Sequence, residues 1–324
     1  MSKIFDTCSY PLFRIKPNKP LPGNIYLYVG GKFIFFKKKG DTIPYERYEK
    51  FIQQRLEYLF IETGDKNKFD NWYASEIQEK KEQAKLNTTE EEKLVIDSFF
   101  EVKENFLKFL SIEVTQGSVK SLIDDCREFI SNVNQRFPIT EKILSKINEY
   151  SNFIGDHSTN VANLSLFLAQ KLGYNQQTAL ENLYMGALLH DYGKVITDIN
   201  NIDPVKFPRQ FVKEFKRHPE VGRITLLMES GISTKSMLII QQHHERHDGK
   251  GFPQGIQGNK IYELSKIVIF ANTFENYIMD QKNLDLPLNE RQNEALKRIE
   301  KDQGHLIDPD LKDKCLDIIY GVIQ

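Results

Sequence analysis

The chain has 324 residues, of which 40% are hydrophobic and 27% charged, and its formal net charge is −1. This length favours two domains, and the composition is that of an ordinary globular protein. The near-zero net charge argues against a chain-wide basic field that would attract DNA or anionic membranes, and no segment approaches the ~20 apolar residues of a membrane span.

The N-terminal segment lacks the uninterrupted apolar stretch of a secretory signal. The three cysteines, Cys8, Cys126 and Cys315, are odd in number and far apart in the sequence. This pattern predicts reduced thiols in a cytoplasmic protein rather than a disulfide framework or a cysteine-ligated zinc site.

Residues 1–66 are predicted to form a small β-rich domain. The patterns predict two strands, a helix and a third strand, at Ile25–Val29, Lys32–Phe36, Tyr45–Leu56 and Tyr58–Glu62. Gly30 and Gly31 separate the first two strands, and both can take positive φ, so a hairpin is expected there. We interpret this domain as a regulatory or docking module with possible protein partners, and a structural cap is nearly as well supported.

Residues 67–135 are predicted to form a polar linker and connecting helices. Thr88 or Thr89 can cap the helix that follows the acidic run. Its apolar residues step by four and three, at Val95, Phe99, Val102, Phe106 and Phe109. A buried core helix is the favoured interpretation of this stripe, and a seam between two copies in a homodimer is the alternative.

From about Val119 onward the patterns are helical, so residues 136–324 are predicted to form an all-α domain. The expected fold class is therefore α+β in two domains, with a small β-rich N-terminal domain and an all-α C-terminal domain.

Six of the seven histidines lie between positions 157 and 247. His190-Asp191 and His243-His244 each end an apolar helical pattern, His157 begins a helix, and His218 precedes Pro219 at the predicted start of another. Imidazoles and a carboxylate that meet in one pocket suit Fe, Mn or Zn better than Mg or Ca. One histidine at a helix end is usually a cap or a surface residue, but the joint pattern favours a metal centre in which Asp191 bridges two ions.

Four motifs occur in a fixed order: His157, the run HDYGK at 190–194, HP at 218–219 with Gly222, and HHERHDGKGFP at 243–253. The segment GHLIDPDL follows at 304–311. Together they resemble the HD-GYP subclass of the HD metal phosphohydrolases over residues 145–320. The resemblance implies an all-helical HD bundle and a bacterial signalling enzyme that hydrolyses cyclic di-GMP.

The resemblance also implies a ligand set and two bound divalent cations, with Fe or Mn expected and Zn as an alternative. The implied ligands are His157, His190, Asp191, His218, His243, His244 and Asn272. Lys194 would contact the scissile phosphate or assist proton transfer beside Asp191, and Gly249, Gly251, Phe252 and Pro253 would shape the substrate loop. His247 and His305 are not expected to be ligands.

The chain departs from the family pattern at four points. Asn272 stands where the family has an aspartate ligand, and a purely structural amide is an equal interpretation of it. Phe252 replaces the tyrosine of the GYP motif, and the arginine-containing R-P-Y element is absent, with Arg291 nearby at a position that does not match. Phe153 replaces the glutamate of three-metal members, so two metals are predicted.

Three functions stay open at this point. The first is a dinuclear phosphodiesterase acting on cyclic di-GMP or a related phosphoester. The second is a degenerate HD-GYP module that binds metal, a cyclic dinucleotide or a protein partner without useful turnover. The third is another HD-type phosphohydrolase that acts on nucleotides, which the second histidine pair and the GFP loop disfavour.

Overall fold

A computed structural model describes residues 6–44, 47–48, 50–51, 56, 58–111, 116–136, 157–197, 207–228, 231–280 and 286–323. The chain divides after Leu86 into two compact units. The first unit contains the strands and the second is helical, so the predicted α+β fold class is confirmed.

The first unit is a four-stranded antiparallel sheet with one long helix. Its strands are β1 (Thr7–Pro11), β2 (Ile25–Val29), β3 (Lys32–Lys37) and β4 (Tyr58–Glu62), in the spatial order β1-β4-β2-β3. The helix α1 (Lys66–Ala84) follows β4 and contributes Phe69 to the core of the unit. Short 3-10 turns lie at Leu12–Arg14 and Thr63–Asp65.

The predicted hairpin and the predicted strand β4 are confirmed. Gly30 and Gly31 join β2 to β3 with φ of 58° and 81°, the left-handed conformation that a two-residue hairpin turn requires. Strand β1 was not predicted, because TCSYP is short and ends in a proline. The helix predicted for Tyr45–Leu56 falls mostly on positions outside the described residues.

The second unit begins with the helices α2 (Glu90–Ser111) and α3 (Gln116–Ser131), and a π-helical turn follows at Asn132–Arg136. The helices of the HD region are α4 (His157–Lys171), α5 (Gln177–Leu188), α6 (Tyr192–Ile196), α7 (Pro208–Leu227), α8 (Thr234–Gln242), α9 (Glu263–Ile278), α10 (Leu288–Glu300) and α11 (Pro309–Ile323). A 3-10 turn, Gly258–Lys260, precedes α9. The predicted all-α domain is therefore confirmed.

Helix α2 starts with a capping box. The Thr89 hydroxyl accepts a hydrogen bond from the Glu92 amide at 3.2 Å, and the Glu92 carboxylate accepts one from the Thr89 amide at 2.9 Å. The apolar stripe predicted along α2 is buried at all five positions, at Val95, Phe99, Val102, Phe106 and Phe109. The interpretation as a core helix is thus confirmed.

The centre of the second unit is apolar. Val161, Leu166 and Leu168 of α4 are each 0% exposed, and α4 packs against α5 and α9. The rings of Phe129 on α3 and Tyr184 on α5 lie 5.1 Å apart, so α3 belongs to the same core. Across the described parts of the chain, no helix is both long and apolar enough to cross a lipid bilayer.

Candidate metal centre

The predicted ligands are carried by helices and by the residues that directly follow them. His157 is the first residue of α4, His190 and Asp191 follow α5, and His243 and His244 follow α8. Asn272 lies in the middle of α9. The predicted convergence of these elements is present, since their side chains meet in one buried cluster around Asp191.

The predicted position of His218 at the start of a helix is wrong. His218 and Pro219 lie inside α7, which begins at Pro208 and ends at Leu227. The structure places a proline at the N1 position, Pro208, where the missing amide has no cost, and a second proline, Pro219, is tolerated eleven residues further on. The sequence pattern predicts a helix start at Pro219. In the structure the helix continues through this proline, which removes only one backbone hydrogen bond.

Asp191 shares its two carboxylate oxygens between two groups of imidazoles. Oδ2 lies 3.3 Å from Nε2 of His190 and 3.9 Å from Nε2 of His157. Oδ1 lies 3.3 Å from Nε2 of His218 and 3.6 Å from Nε2 of His243. His244 completes the second group, so the residues form two ligand clusters that share one carboxylate.

Three imidazoles are oriented by their own backbone. Nδ1 of His190 lies 2.7 Å from the Ala187 carbonyl oxygen, and Nδ1 of His243 lies 2.7 Å from that of Ile240. Nδ1 of His218 lies 2.5 Å from the carbonyl oxygen of Phe215, again three residues earlier. A carbonyl oxygen can only accept, so each Nδ1 carries the proton and each Nε2 presents a lone pair to the cluster.

Several hydrogen-bond acceptor atoms of the cluster have no hydrogen-bond donor beside them. Nε2 of His218 faces Nε2 of His243 at 3.1 Å, and these lone pairs repel each other unless a cation lies near both. Nε2 of His190, Oδ1 of Asp191 and Nε2 of His244 are buried and have no hydrogen-bond partner. Two ligands at right angles on one cation lie about 3 Å apart, so this set of donor atoms fits divalent cations.

Burial favours the neutral form of three of the imidazoles. It lowers the pKa of His157 and of His243 to about 3, and it lowers the pKa of His244 well below its usual range. Burial opposes ionisation of Asp191, but its neighbours outweigh it, and the Lys194 ammonium group helps to hold the pKa of Asp191 well below its ordinary value. Unprotonated imidazoles at His157, His243 and His244 beside an ionised carboxylate are the state that binds metal.

Asn272 lies beside the first cluster. Its Oδ1 is 3.0 Å from Nε2 of His157 and accepts a hydrogen bond from Nδ2 of Asn276 at 2.9 Å. The side chain is 4% exposed, and its amide oxygen faces His157 of the first cluster. The amide brings no negative charge, and the Asn276 amide competes for its lone pairs.

Lys194 extends from α6 to the same carboxylate. Its Nζ donates to Oδ2 of Asp191 at 2.7 Å and lies 5.4 Å from the centre of the Phe215 ring. The side chain is 33% exposed, so one side of the ammonium group faces solvent. The position fits a cation that contacts both the centre and an incoming anion.

Two glycines allow α6 to approach α7. A Cβ atom on Gly193 would lie 1.9 Å from the carbonyl oxygen of His218 and 2.9 Å from the amide nitrogen of Gly222. No side chain fits in this gap. The contact brings His218 to Asp191, and the sequence motif HDYGK contains the required glycine.

The loop after His244 folds back onto that residue. The Phe252 amide donates to the His244 carbonyl oxygen at 3.1 Å, and the two rings stack at 4.6 Å with an interplanar angle of 23°. Gly249 has a φ of 76°, and a Cβ atom on Gly251 would lie 2.4 Å from the Arg246 amide nitrogen. The Phe252–Pro253 peptide bond is cis. Among these predicted loop residues, Phe252 thus packs against His244, and the two glycines satisfy the backbone geometry and close contacts of the loop.

Glu245 fixes this loop, and the sequence analysis did not identify it. The side chain is 1% exposed, and its carboxylate accepts the amides of Gln254 at 2.7 Å and Ile256 at 3.1 Å. Phe215, which contacts His218, His244 and Phe252 in edge or tilted geometry, was also missed. The residues next to Glu245 in the sequence give no indication that this glutamate is buried.

The remaining predicted positions divide into three cases. His247 and His305 are outside both clusters formed by described residues, as expected, and Nδ1 of His247 lies 3.7 Å from Asp308 instead. Arg291 lies on α10, and its Nε is buried without a hydrogen-bond partner. Phe153, which was used to argue against a third metal, lies outside the described residues.

Comparison with known families matches residues 119–311 to the HD domain. The 3′3′-cGAMP-specific phosphodiesterase 1 of Vibrio cholerae is 33% identical over 144 residues, which cover 44% of this chain and 33% of that protein. The cyclic di-GMP phosphodiesterase of Thermotoga maritima is 31% identical over 181 residues, covering 54% of this chain and 47% of that protein. The chain thus spans between a third and about half of the length of these curated relatives.

Among solved structures, Bd1817, an HDG"Y"P protein from Bdellovibrio bacteriovorus, superposes with a TM-score of 0.63 at 22% identity. The match covers 98% of this chain and 100% of that one. At this identity the likeness establishes a shared fold. Together with the HD domain match and the named relatives, it confirms the resemblance that was inferred from the histidine motifs.

Proposed function

Because the chain belongs to the HD domain family, we propose that it is a metal-dependent phosphodiesterase of HD-GYP type. Its substrate would be cyclic di-GMP or a related cyclic dinucleotide, the ligand class named for its relatives. The observation that carries the proposal is the set of buried lone pairs around Asp191 with no donor to satisfy them.

The two clusters would hold one divalent cation each, with Fe or Mn expected and Zn as the alternative. His157, His190, Asn272 and Oδ2 of Asp191 would form one site. His218, His243, His244 and Oδ1 of Asp191 would form the other. Bound cations would acidify water and offset the negative charge that builds on the phosphoryl oxygens.

Lys194 is the residue that we assign to the phosphate. Its Nζ donates to Asp191, and it would also donate to a non-bridging oxygen of the scissile phosphodiester. When water attacks phosphorus it gives up a proton, and the leaving ribose oxygen takes one up as its P–O bond breaks. Nζ of Lys194, beside Asp191, would donate a proton to the leaving oxygen, and the proton released by the water would restore the ammonium group.

Phe215 and Phe252 would exclude water from one side of the site. Both rings contact His244, and neither can compete with a substrate for a hydrogen bond. The loop therefore supports orientation of His244 and packing against the nucleotide rather than a hydrogen bond from a tyrosine hydroxyl.

The test is a paired metal and activity measurement on anaerobically purified protein without a histidine tag or chelator. We expect about two Fe or Mn ions per chain by mass spectrometry, and hydrolysis of at least one cyclic dinucleotide. Asp191→Asn should lose both the bound metal and the hydrolytic activity. Asp317→Asn, which changes an exposed aspartate on α11, should keep both. Metal-filled protein that hydrolyses no cyclic dinucleotide would refute the proposal.

Asn272 and Phe252 favour a second candidate function, a module that binds the ligand without useful turnover. The amide oxygen of Asn272 is shared with Asn276, and Phe252 offers no hydroxyl. In this case the double variant Asn272→Asp/Phe252→Tyr should gain hydrolysis that the wild-type chain lacks. Robust turnover by the wild-type chain would rule this candidate out.

A further inference from the structure

The first unit has an aromatic sheet face that is exposed to solvent. The register pairs Tyr28 with Phe33 and pairs Tyr26 with both Phe35 and Phe60. Together with Tyr58, two residues before Phe60, these side chains lie on one side of the sheet and form what we call the aromatic face. Tyr28, Phe33 and Phe35 are 53%, 48% and 56% exposed, which is unusual for adjacent large rings.

The end of the hairpin is apolar on its other side as well. Val29 and Ile34 point away from the aromatic face and are 56% and 49% exposed. Among the described residues, strand β2 pairs with β4 only at Ile25 and Tyr26, so no described strand pairs with the hairpin beyond these two residues. A two-stranded hairpin is marginal in water by itself, and one with both sides apolar requires a partner that covers both sides.

The charge of the hairpin and of the segments before it favours an anionic partner. Residues 7–40 contain seven lysines and arginines and no aspartate or glutamate, although the whole chain has a net charge of −1. Lys32 lies at the turn, and Lys37, Lys38 and Lys39 follow at the end of β3. The lysines therefore flank the exposed apolar residues at both ends of the strand.

We propose that the β2–β3 hairpin binds the surface of a membrane that is rich in anionic phospholipid. Tyr28, Phe33 and Phe35 would enter the headgroup region, where aromatic rings are favoured. The lysines would remain beside the phosphates, since their long stems allow the ammonium groups to reach the polar layer. This is attachment to a membrane surface by a hairpin and is independent of the proposed catalytic function.

Other partners fit these observations less well. A second copy of the chain would bring two basic hairpins together, with lysines opposite lysines. A nucleic acid would need flat, separate rings for its bases, whereas the rings of Phe33 and Phe60 meet edge to face at 5.0 Å. A groove on an acidic protein would cover one side of the hairpin and leave Val29 and Ile34 or the aromatic face in water.

The test is cosedimentation of the full chain with phosphatidylcholine vesicles, with and without phosphatidylglycerol, at low and high salt. We expect binding only to the anionic vesicles, and weaker binding at high salt. Phe33→Ser/Phe35→Ser should reduce the partition coefficient by about tenfold or more, because two half-exposed rings are removed. Leu227→Ser/Met228→Ser, at 54% and 79% exposure on the second unit, should leave binding unchanged.

The charge contribution is tested by Lys38→Glu/Lys39→Glu against Lys301→Glu/Lys314→Glu, an exposed pair with the same charge change. Only the first pair should weaken vesicle binding, again by about tenfold. Absence of binding to anionic vesicles would overturn the proposal, as would equal losses in the hairpin and control variants. If Phe33→Ser/Phe35→Ser instead converts an oligomer to a monomer in light scattering, and vesicles are not bound, the surface is a contact between copies.

Discussion

The carbonyl oxygen of Phe215 is free to accept the Nδ1 proton of His218 because the residue four positions after Phe215 is a proline. In an uninterrupted helix the amide of residue 219 would donate to this oxygen, and Pro219 has no amide hydrogen. The carbonyls of Ala187 and Ile240 are available to His190 and His243 because α5 and α8 end there. All three histidines thus carry their proton on Nδ1. For His218 a proline frees the carbonyl that accepts it, and for His190 and His243 a helix end does so.

Pro219→Ala should separate helix stability from metal binding. The new amide can donate to the Phe215 carbonyl and compete with His218, so metal affinity should fall by roughly tenfold to a hundredfold. The melting temperature of the metal-free protein should rise, since an interior proline costs a helix about 3 kcal/mol. Pro208→Ala, at the first position of α7, is the matched control and should change metal affinity little. Unchanged affinity in Pro219→Ala would contradict this account of His218.

Asn272→Asp should strengthen the first metal cluster. The added carboxylate places a negative charge 3.0 Å from Nε2 of His157, and the affinity for the more weakly held ion should rise by about tenfold or more. The measurement is a titration of metal-free protein, read as ions bound per chain. Asn175→Asp adds the same charge at an exposed turn and should have no effect. A gain of equal size in both variants would show that the effect is only one of net charge.

Gly193→Ala should disrupt the approach of α6 to α7. The methyl group would lie 1.9 Å from the carbonyl oxygen of His218, so the helices must separate or the backbone must shift. We expect a loss of about 3 kcal/mol in the free energy of unfolding, together with reduced metal content. Gly321→Ala, in α11 with no atom near the added methyl group, should instead be neutral or stabilising by up to about 1 kcal/mol. Normal metal content in Gly193→Ala would show that the contact does not position His218.

Glu275 should make the stability of the metal-free protein depend on pH. Burial raises the pKa of this carboxyl to about 7, although Asn160 and Arg291 partly oppose the shift. The folded state therefore holds a proton that the unfolded state has lost above its ordinary pKa near 4.5. This stabilisation is complete below about pH 4.5 and is lost as the pH rises through about 7.

Glu275→Gln removes this dependence and keeps the shape of the side chain. At pH 8 the variant should be more stable than the wild-type chain, by up to about 3 kcal/mol in urea unfolding with chelator present. Glu290→Gln, an exposed residue on α10, should follow the wild-type pH profile. A stability difference between Glu275→Gln and the wild-type chain that stays constant between pH 5 and about pH 8 would contradict the raised pKa.

The parts of the site that the sequence predicts are those with a local signal. His190-Asp191 and His243-His244 end clear apolar helical patterns, so their convergence could be predicted. The position of His218 could not, because whether a proline starts or interrupts a helix depends on the contacts of the residues before it. Glu245 was missed because its role depends on two amides that lie 9 and 11 residues later.

The fold, like the site, has parts that local sequence predicts and parts that depend on distant segments. Gly30-Gly31 and the flanking β-prone runs define the hairpin locally. Strand β1 exists because β4, some fifty residues later, pairs with it from Thr7 to Pro11, and nothing in TCSYP indicates that pairing. Local patterns thus predict helices and the hairpin, and pairing between distant segments decides the rest.

The capping box at Thr89 and Glu92 bears on how the start of the second unit depends on the sequence before it. The two residues satisfy each other's amides, so the first helix of the second unit contains its own start signal, two positions after the division between the units. Any sequence placed before Asn87 leaves that signal intact. The start of α2 is therefore set by its own residues, whatever sequence precedes Asn87.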